Sequence, residues 1–223
     1  MKKKIVFLVS GNGGNLKFLY YLTQLYSLPF EISYVIGDRH CGAIDFSEQN
    51  KINFALIDFN QNNDLKLIEQ LKRINPDYII TNVHKILSEN TVNQYKTKLI
   101  NLHYSLLPSF SGLIGMKPVD LSIEKNVRFI GTTVHYVNKK VDNGKIIGQN
   151  IFELTNDEEK HLVYDRIFRS GALNLWNTLA YKESLIYKKI KTVNILNKQV
   201  IFSPELLELE EFYNDIFWMQ IKV

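Results

Sequence analysis

A single cysteine, Cys41, is the first scarcity in this sequence. It excludes an intrachain disulfide and any cysteine-based metal cluster, and it suits a reducing compartment, so a cytoplasmic location is expected. Long hydrophobic runs are missing too: no apolar stretch reaches the roughly 18–20 residues that a membrane span needs. At the start, Met1-Lys2-Lys3-Lys4 precedes only Ile5-Val6-Phe7-Leu8-Val9 before Ser10 and Gly11, which reads as a buried first strand rather than a signal peptide. Neither sign of charge dominates, and the formal net charge is +4. No stripe of basic and aromatic residues stands out, so nucleic acid is not an expected partner. A mild positive balance suits anionic small molecules instead. His40 and Cys41 offer too few ligands for zinc, and no metal is expected.

What is present is a core and a pattern. Hydrophobic residues make up 45% of the 223 positions, enough for one domain of ordinary size with a small extension. Lys4–Val9 is a continuous β-branched and apolar run, as in a strand buried on both faces. Helix-like spacing follows at Leu16, Leu19, Tyr20 and Leu25, then strand-like runs at Glu31–Ile36 and Asn53–Ile57 around a short helix at Ala43–Asn50. Asp64–Ile74 sets Leu65, Ile68 and Leu71 three apart, and Asn75-Pro76 stops it. Tyr78–Thr81 and Leu99–Leu102 complete a strand–helix alternation that implies a parallel sheet with right-handed crossovers. The expected fold class is α/β: a Rossmann-like, mostly parallel sheet flanked by helices, with a small C-terminal hairpin and tail. After a helix near Pro118–Glu124, Arg128–Val137 and Lys145–Phe152 read as a long hairpin at one sheet edge. Glu158–Tyr181 is the longest helix predicted. Val193–Leu196 and Val200–Phe202 pair around a turn at Asn197-Lys198. The expected division is a catalytic domain over 1–183 and a hairpin with an aromatic tail over 184–223. The tail's apolar surface requires cover by the core or by a second subunit, and we expect a homodimer.

Chemistry concentrates at two places. Ser10-Gly11-Asn12-Gly13-Gly14-Asn15 lies between the first strand and the first helix, where backbone N–H groups and the helix dipole make an anion cradle, or where a tight turn ends on Asn15 as helix cap. It lacks the Gly-Lys-Ser/Thr ending of a Walker A loop and the third glycine of a dinucleotide fingerprint. The stronger signal is Asn101-Leu102-His103-Tyr104-Ser105-Leu106-Leu107-Pro108 with Val141-Asp142-Asn143-Gly144. Asn101 and His103 share one face at a strand's carboxyl end, where open α/β sheets place ligands. With Asp142 they can stabilise a tetrahedral oxyanion and move a proton, which is acyl-transfer chemistry. His84 and His135 each read either as a ligand contact or as a surface or packing histidine. Glu153, Asp157, Glu158 and Glu159 read as a solvated helix start.

These stretches, together with Ile86-Leu87-Ser88, Gly131-Thr132-Thr133-Val134-His135 and Val141–Gln149, resemble the folate-dependent formyltransferases, in the same order and over roughly the first 180 residues. The resemblance implies 10-formyltetrahydrofolate as co-substrate and a primary amine that attacks its formyl carbon. By that analogy His103 and Asn101 stabilise the oxyanion, and Asp142 orients His103 and helps remove the amine proton. Folate is implied along Val83, His84, Lys85, Ile86 and Leu87 and along Lys139, Lys140 and Val141. An acceptor phosphate is implied on Gly11, Asn12, Gly13, Gly14 and Asn15, with Ser105, Leu106, Pro108 and Met116 facing the rest of the acceptor.

The sequence also departs from the family's purine enzyme. Leu113-Ile114-Gly115-Met116-Lys117-Pro118-Val119 replaces a stretch containing histidine and arginine. Arg169-Ser170-Gly171 aligns with an acidic acceptor-binding residue. Tyr104 replaces a small residue or proline. The reading preferred on these grounds is N-formylation of a nucleotide-linked amino sugar for surface glycans. Its alternative is phosphoribosylglycinamide formylation in purine synthesis. A formyltetrahydrofolate hydrolase and a non-catalytic folate-binding module are the remaining readings.

Overall fold

The computed structural model describes residues 1–221. They form two compact units, and the chain crosses between them more than once. The first comprises residues 1–101, 136–141 and Ile221; the second, residues 102–135 and 142–220.

The first unit holds β1 (Lys3–Val9), α1 (Gly14–Leu25), β2 (Phe30–Gly37), α2 (Gly42–Gln49), β3 (Phe54–Leu56), α3 (Leu65–Ile74), β4 (Tyr78–Asn82), α4 (Glu89–Tyr95) and the start of β5 (Leu99–His103). Its strands run β3-β2-β1-β4-β5, and every pairing in that series is parallel. Ile5 to Val9 are at most 1% exposed, as a central strand covered on both faces requires. Val6, Leu8, Ile36 and Ile79 pack with Leu67 and Leu71 of α3 and Val92 and Tyr95 of α4. The buried face of α3 is therefore Leu67, Ile68 and Leu71; Leu65, expected inside, begins the helix and is 71% exposed. Asn75 ends this helix at φ 49°, a left-handed position that asparagine tolerates.

The second unit holds the end of β5, α5 (Lys117–Glu124), β6 (Phe129–Tyr136, its last residue lying in the first unit), β7 (Ile146–Glu153), α6 (Lys160–Lys182), β8 (Lys189–Ile195), β9 (Lys198–Leu207) and α7 (Asp215–Ile221, reaching the first unit with its last residue). Its strands run β6-β7-β9-β8, all antiparallel. β6 and β7 pair as expected, but not as an edge hairpin, because Gln149–Ile151 of β7 also pairs with Ser203–Ile201 of β9. The β8–β9 turn falls on Leu196 and Asn197, both at positive φ, one residue earlier than the asparagine–lysine pair suggests. α6 is buried through most of its length, and its polar side chains are bonded to strands. Asn174 donates to Thr132, Trp176 Nε1 donates to the Leu207 carbonyl, and Asn177 both donates to β9 carbonyls and accepts the Leu207 N–H.

The tail packs largely on its own unit. Phe212, Phe217 and Trp218 are buried, and Trp218 meets Phe168 of α6 edge to face. Tyr213, Ile216 and Met219 are left exposed. Among the described residues, no helix is long and apolar enough to cross a membrane.

Glu158 is not solvated. Its side chain is 10% exposed and accepts from the Thr155 N–H (3.1 Å), from Lys198 Nζ (3.2 Å) and from Arg166. Arg166, 2% exposed, also donates to the carbonyls of Ile195 (3.1 Å) and Leu196 (2.9 Å). One carboxylate thus joins the start of α6 to the β8–β9 turn.

Candidate active site

β5 carries Asn101 and His103 two residues apart, so both side chains leave the same face of the strand. In the first unit, Asn101 Oδ1 accepts from Thr81 Oγ1 of the neighbouring strand at 3.0 Å, which fixes the amide. In the second unit, His103 is 6% exposed and begins the loop that leads to α5. That loop is pinned by Thr133 of β6. The Thr133 hydroxyl donates to the Ser105 carbonyl (2.7 Å) and accepts from the Leu107 N–H (3.0 Å) and from Gln149 Nε2 (3.1 Å). One donor and two lone pairs are then fully used. The Ser105 hydroxyl is itself bonded to the Ser109 carbonyl at 2.5 Å, while Leu106 and Met116 are half-buried and Pro108 exposed.

Asp142 faces His103. Its backbone stands at φ 51°, and its side chain is 9% exposed. Oδ2 lies 3.4 Å from His103 Nδ1 and accepts the Gly112 N–H at 2.8 Å; Oδ1 lies 3.6 Å from His135 Nε2. The other His103 nitrogen, Nε2, is 3.2 Å from the Phe110 carbonyl. A neutral imidazole has one N–H and serves one of these two acceptors; an imidazolium serves both. Burial lowers the His103 pKa, and the like charge of His135 adds to this, against Asp142 and the Phe110 carbonyl, which raise it. Burial works to raise the Asp142 carboxyl. The His135 contact, the Gly112 N–H and the charge of His103 outweigh it and leave the pKa below the ordinary value. The result near neutral pH is an ionised carboxylate beside a neutral imidazole, a pair able to accept a proton and hold the resulting positive charge. Among the described residues, no group of three His, Cys, Asp or Glu side chains is placed to hold a metal ion.

His135, read from sequence as either a ligand contact or a surface or packing histidine, is 2% exposed and lies against Asp142. Thr133 and Gln149 escaped the sequence reading as site residues. The only signal for them was their place inside the two motifs that carry the resemblance.

In the first unit, the loop Gly11–Asn15 leads into α1. Gly13 at φ 74° is the N-cap, in place of Asn15, and a Cβ on it would come within 2.7 Å of Ala43 Cβ. The helix start has no side-chain cap and no acidic residue in its first turn. The loop after β4 is tied to it, since the His84 N–H donates to Ser10 Oγ at 3.0 Å. Lys85 pairs with Asp58 (2.7 Å) and stands 3.7 Å from the buried Asp38 carboxylate. Lys85 and Ile86 line a cavity of about 450 Å³ together with Asn60, Gln61 and Asn62. Val83 and Leu87 are half-buried against the core of this unit. Lys139 reaches Glu89 at 2.6 Å, the Lys140 N–H bonds Asn138 Oδ1, and Val141 is exposed.

The departures noted in the sequence turn out to be coupled. Arg169 of α6 is paired with Asp165 (3.2 Å) and with Asp215 of the tail (2.9 Å), and stacks over Trp218 at 5.3 Å. Gly171 makes room for the loop after β5: a Cβ there would lie 3.0 Å from the Tyr104 ring and 3.2 Å from Leu102.

Comparison with known proteins agrees with this geometry. The chain is 30% identical over 199 residues to formyltetrahydrofolate deformylase of Haemophilus influenzae, covering 86% of this chain and 70% of that protein. It spans about half the length, 55%, of the Escherichia coli deformylase. It is 29% identical to phosphoribosylglycinamide formyltransferase of Haemophilus influenzae, covering 80% of this chain and 93% of that protein. The crystal structure of phosphoribosylglycinamide formyltransferase from Bacillus halodurans superposes with a TM-score of 0.75 at 23% identity, over 82% of this chain and 96% of that one, a likeness of fold. Since the formyl transferase family model matches residues 3–178, which include His103, His135 and Asp142, the chain belongs to the formyl transferase family and is an enzyme that transfers formyl groups.

Proposed function

We propose that the protein moves the formyl group of 10-formyltetrahydrofolate to the primary amine of a nucleotide-linked amino sugar. The observation that carries this reading is the buried His103–Asp142 pair with its low carboxyl pKa. The amine nitrogen bonds the formyl carbon, the bond from that carbon to the folate nitrogen breaks, and the amine's proton leaves as the folate nitrogen gains one. His103 and Asn101 donate to the oxyanion that forms between these steps. Asp142 holds the ring and balances its charge. Preorganised donors of this kind supply the largest share of such rate enhancements.

Folate lies along Val83–Leu87 and Lys139–Val141, a placement supported by the exposed Ile86 and Val141 and by the cavity beside Lys85. The acceptor phosphate sits on Gly11–Asn15, supported by a helix start with no acidic residue in its first turn. Ser105, Leu106, Pro108 and Met116 form the acceptor's wall. A nucleotide sugar is favoured over glycinamide ribonucleotide because Arg169, at the position of the purine enzyme's acidic residue, is taken up by Asp165, Asp215 and Trp218. The reaction belongs to the cytoplasm.

An acceptor screen tests this. The protein with 10-formyltetrahydrofolate is offered glycinamide ribonucleotide and a panel of dTDP-, UDP- and GDP-linked amino sugars, and formylation is followed by mass. Product from nucleotide sugars alone is expected; product from glycinamide ribonucleotide alone would assign the protein to purine synthesis. The similarity to a deformylase favours one second reading, transfer to water. Formate released without an amine, as fast as product forms with one, would establish it.

Residues 184–223 serve as a dimerisation extension in this reading, supported by the exposed Tyr213, Ile216 and Met219. Sedimentation at micromolar concentration is expected to show a dimer, and a monomer alone would refute it.

A further inference from the structure

We infer that His135 is a positioning residue for the reaction: it holds Oδ1 of Asp142 so that Oδ2 stays against His103. This rests on the formyl-transfer reading for its kinetic consequence, although not for the geometry.

Three observations converge on it. First, β6 does not run regularly into His135. Its register against β7 shifts between Val134 and His135, with Val134 opposite Gly148 and His135 opposite Ile146. Such an irregularity re-aims a side chain, and bulges concentrate beside active sites. Here the side chain it re-aims ends 3.6 Å from Asp142. Secondly, burial alone does not call for histidine. Residues Ile130 to His135 of β6 are all buried, and an apolar side chain would fill the place, whereas a buried polar group costs about 1–3 kcal/mol unless it has a partner. Thirdly, the donors around Asp142 are divided. The Gly112 N–H and His103 both address Oδ2, and His135 addresses Oδ1. Asp142 itself comes from a left-handed backbone position between the exposed Val141 and Asn143, where the chain gives its side chain little support. A carboxylate held at one oxygen can turn about its Cβ–Cγ bond; one held at both cannot.

The test uses two variants of the full chain. His135→Gln keeps an N–H donor near the place of Nε2, and His135→Leu removes it at similar volume. His135→Leu is expected to lower kcat by about 10- to 100-fold, the usual cost of misplacing a reacting group by an ångström or less. KM for both substrates should stay within twofold, and His135→Gln should recover most of the loss. Placed in an Asp142→Ala background, His135→Leu should cost less than twofold, because its effect passes through that carboxylate. Equal losses for Gln and Leu, or an undiminished loss in the Asp142→Ala background, would overturn the assignment.

A second readout does not depend on activity. Histidine-ring NMR of the wild type and of His135→Leu follows the titration of His103, whose neighbours are Asp142, His135 and the Phe110 carbonyl. A displacement of the midpoint is expected when His135 is removed, and an unmoved midpoint would overturn the coupling. If the wild type formylates no amine and releases no formate while the NMR midpoint moves, the functional reading fails and the positioning role stands.

Discussion

Asp142→Asn is expected to lower kcat for formyl transfer by about 10²- to 10⁴-fold, and His103→Ala by a similar factor, the range of a lost acid–base group. Neither change should unfold the protein. The amide introduced by Asp142→Asn keeps an oxygen for the Gly112 N–H, which the Asp142 carboxylate accepts at 2.8 Å. What is lost is the charge that a proton-bearing imidazole requires opposite it. The pH dependence carries the same information. Burial holds His103 below the ordinary histidine range, with Asp142 working in the opposite direction. The acid limb of the wild-type kcat/KM profile should therefore lie below about pH 6.5. Asp142→Asn should move it further down, because the raising influence is gone. Near-normal turnover in either variant, with melting unchanged, would remove that residue from the mechanism.

Glu158→Gln is expected to destabilise the fold by about 3–5 kcal/mol, the cost of leaving one member of a buried pair without its counter-charge. Arg166 would keep its bonds to the Ile195 and Leu196 carbonyls but lose the one neutralising contact the structure gives it. Burial works to raise the Glu158 carboxyl, but the Thr155 N–H, Arg166 and Lys198 more than reverse it and bring the pKa to about 2. A depressed carboxylate stabilises the folded state above its unfolded pKa. From about pH 4.5 down to about 2 the native state should lose about 3 kcal/mol through this one group. Urea denaturation of wild type and Glu158→Gln across that window checks it: the wild type should lose stability steeply, and the variant should lack that component. Parallel curves would refute the assignment.

Local pattern carried most of the parallel half of the fold, because buried strands and amphipathic helices write their periods into a short window. It failed where the deciding partner was distant. α4 has the composition Glu-Asn-Thr-Val-Asn-Gln-Tyr, with no apolar period, and owes its start to Ser88, which accepts the Thr91 N–H. β7 was read as an edge because its partner β9 lies some fifty residues on. Glu158 looked like one of several solvated acids, and only Arg166 and Lys198 distinguish it. At the site, His103 and Asp142 stood out through their motifs. His135 did not, because alternation along a strand is blind to the register shift that aims it. Leucine at φ 49° in the β8–β9 turn is equally invisible to turn chemistry, which looks for asparagine or glycine.

Tyr104 and Gly171 lie 67 positions apart in the chain, and a single added carbon at 171 would touch the tyrosine ring. The two positions are therefore not free to drift separately. A lineage that enlarges residue 171 must first shrink residue 104, and one that carries tyrosine after the histidine must keep glycine in the helix. In a set of related sequences, that pair would change in one step or not at all, and its state would mark which branch of the family a chain descends from.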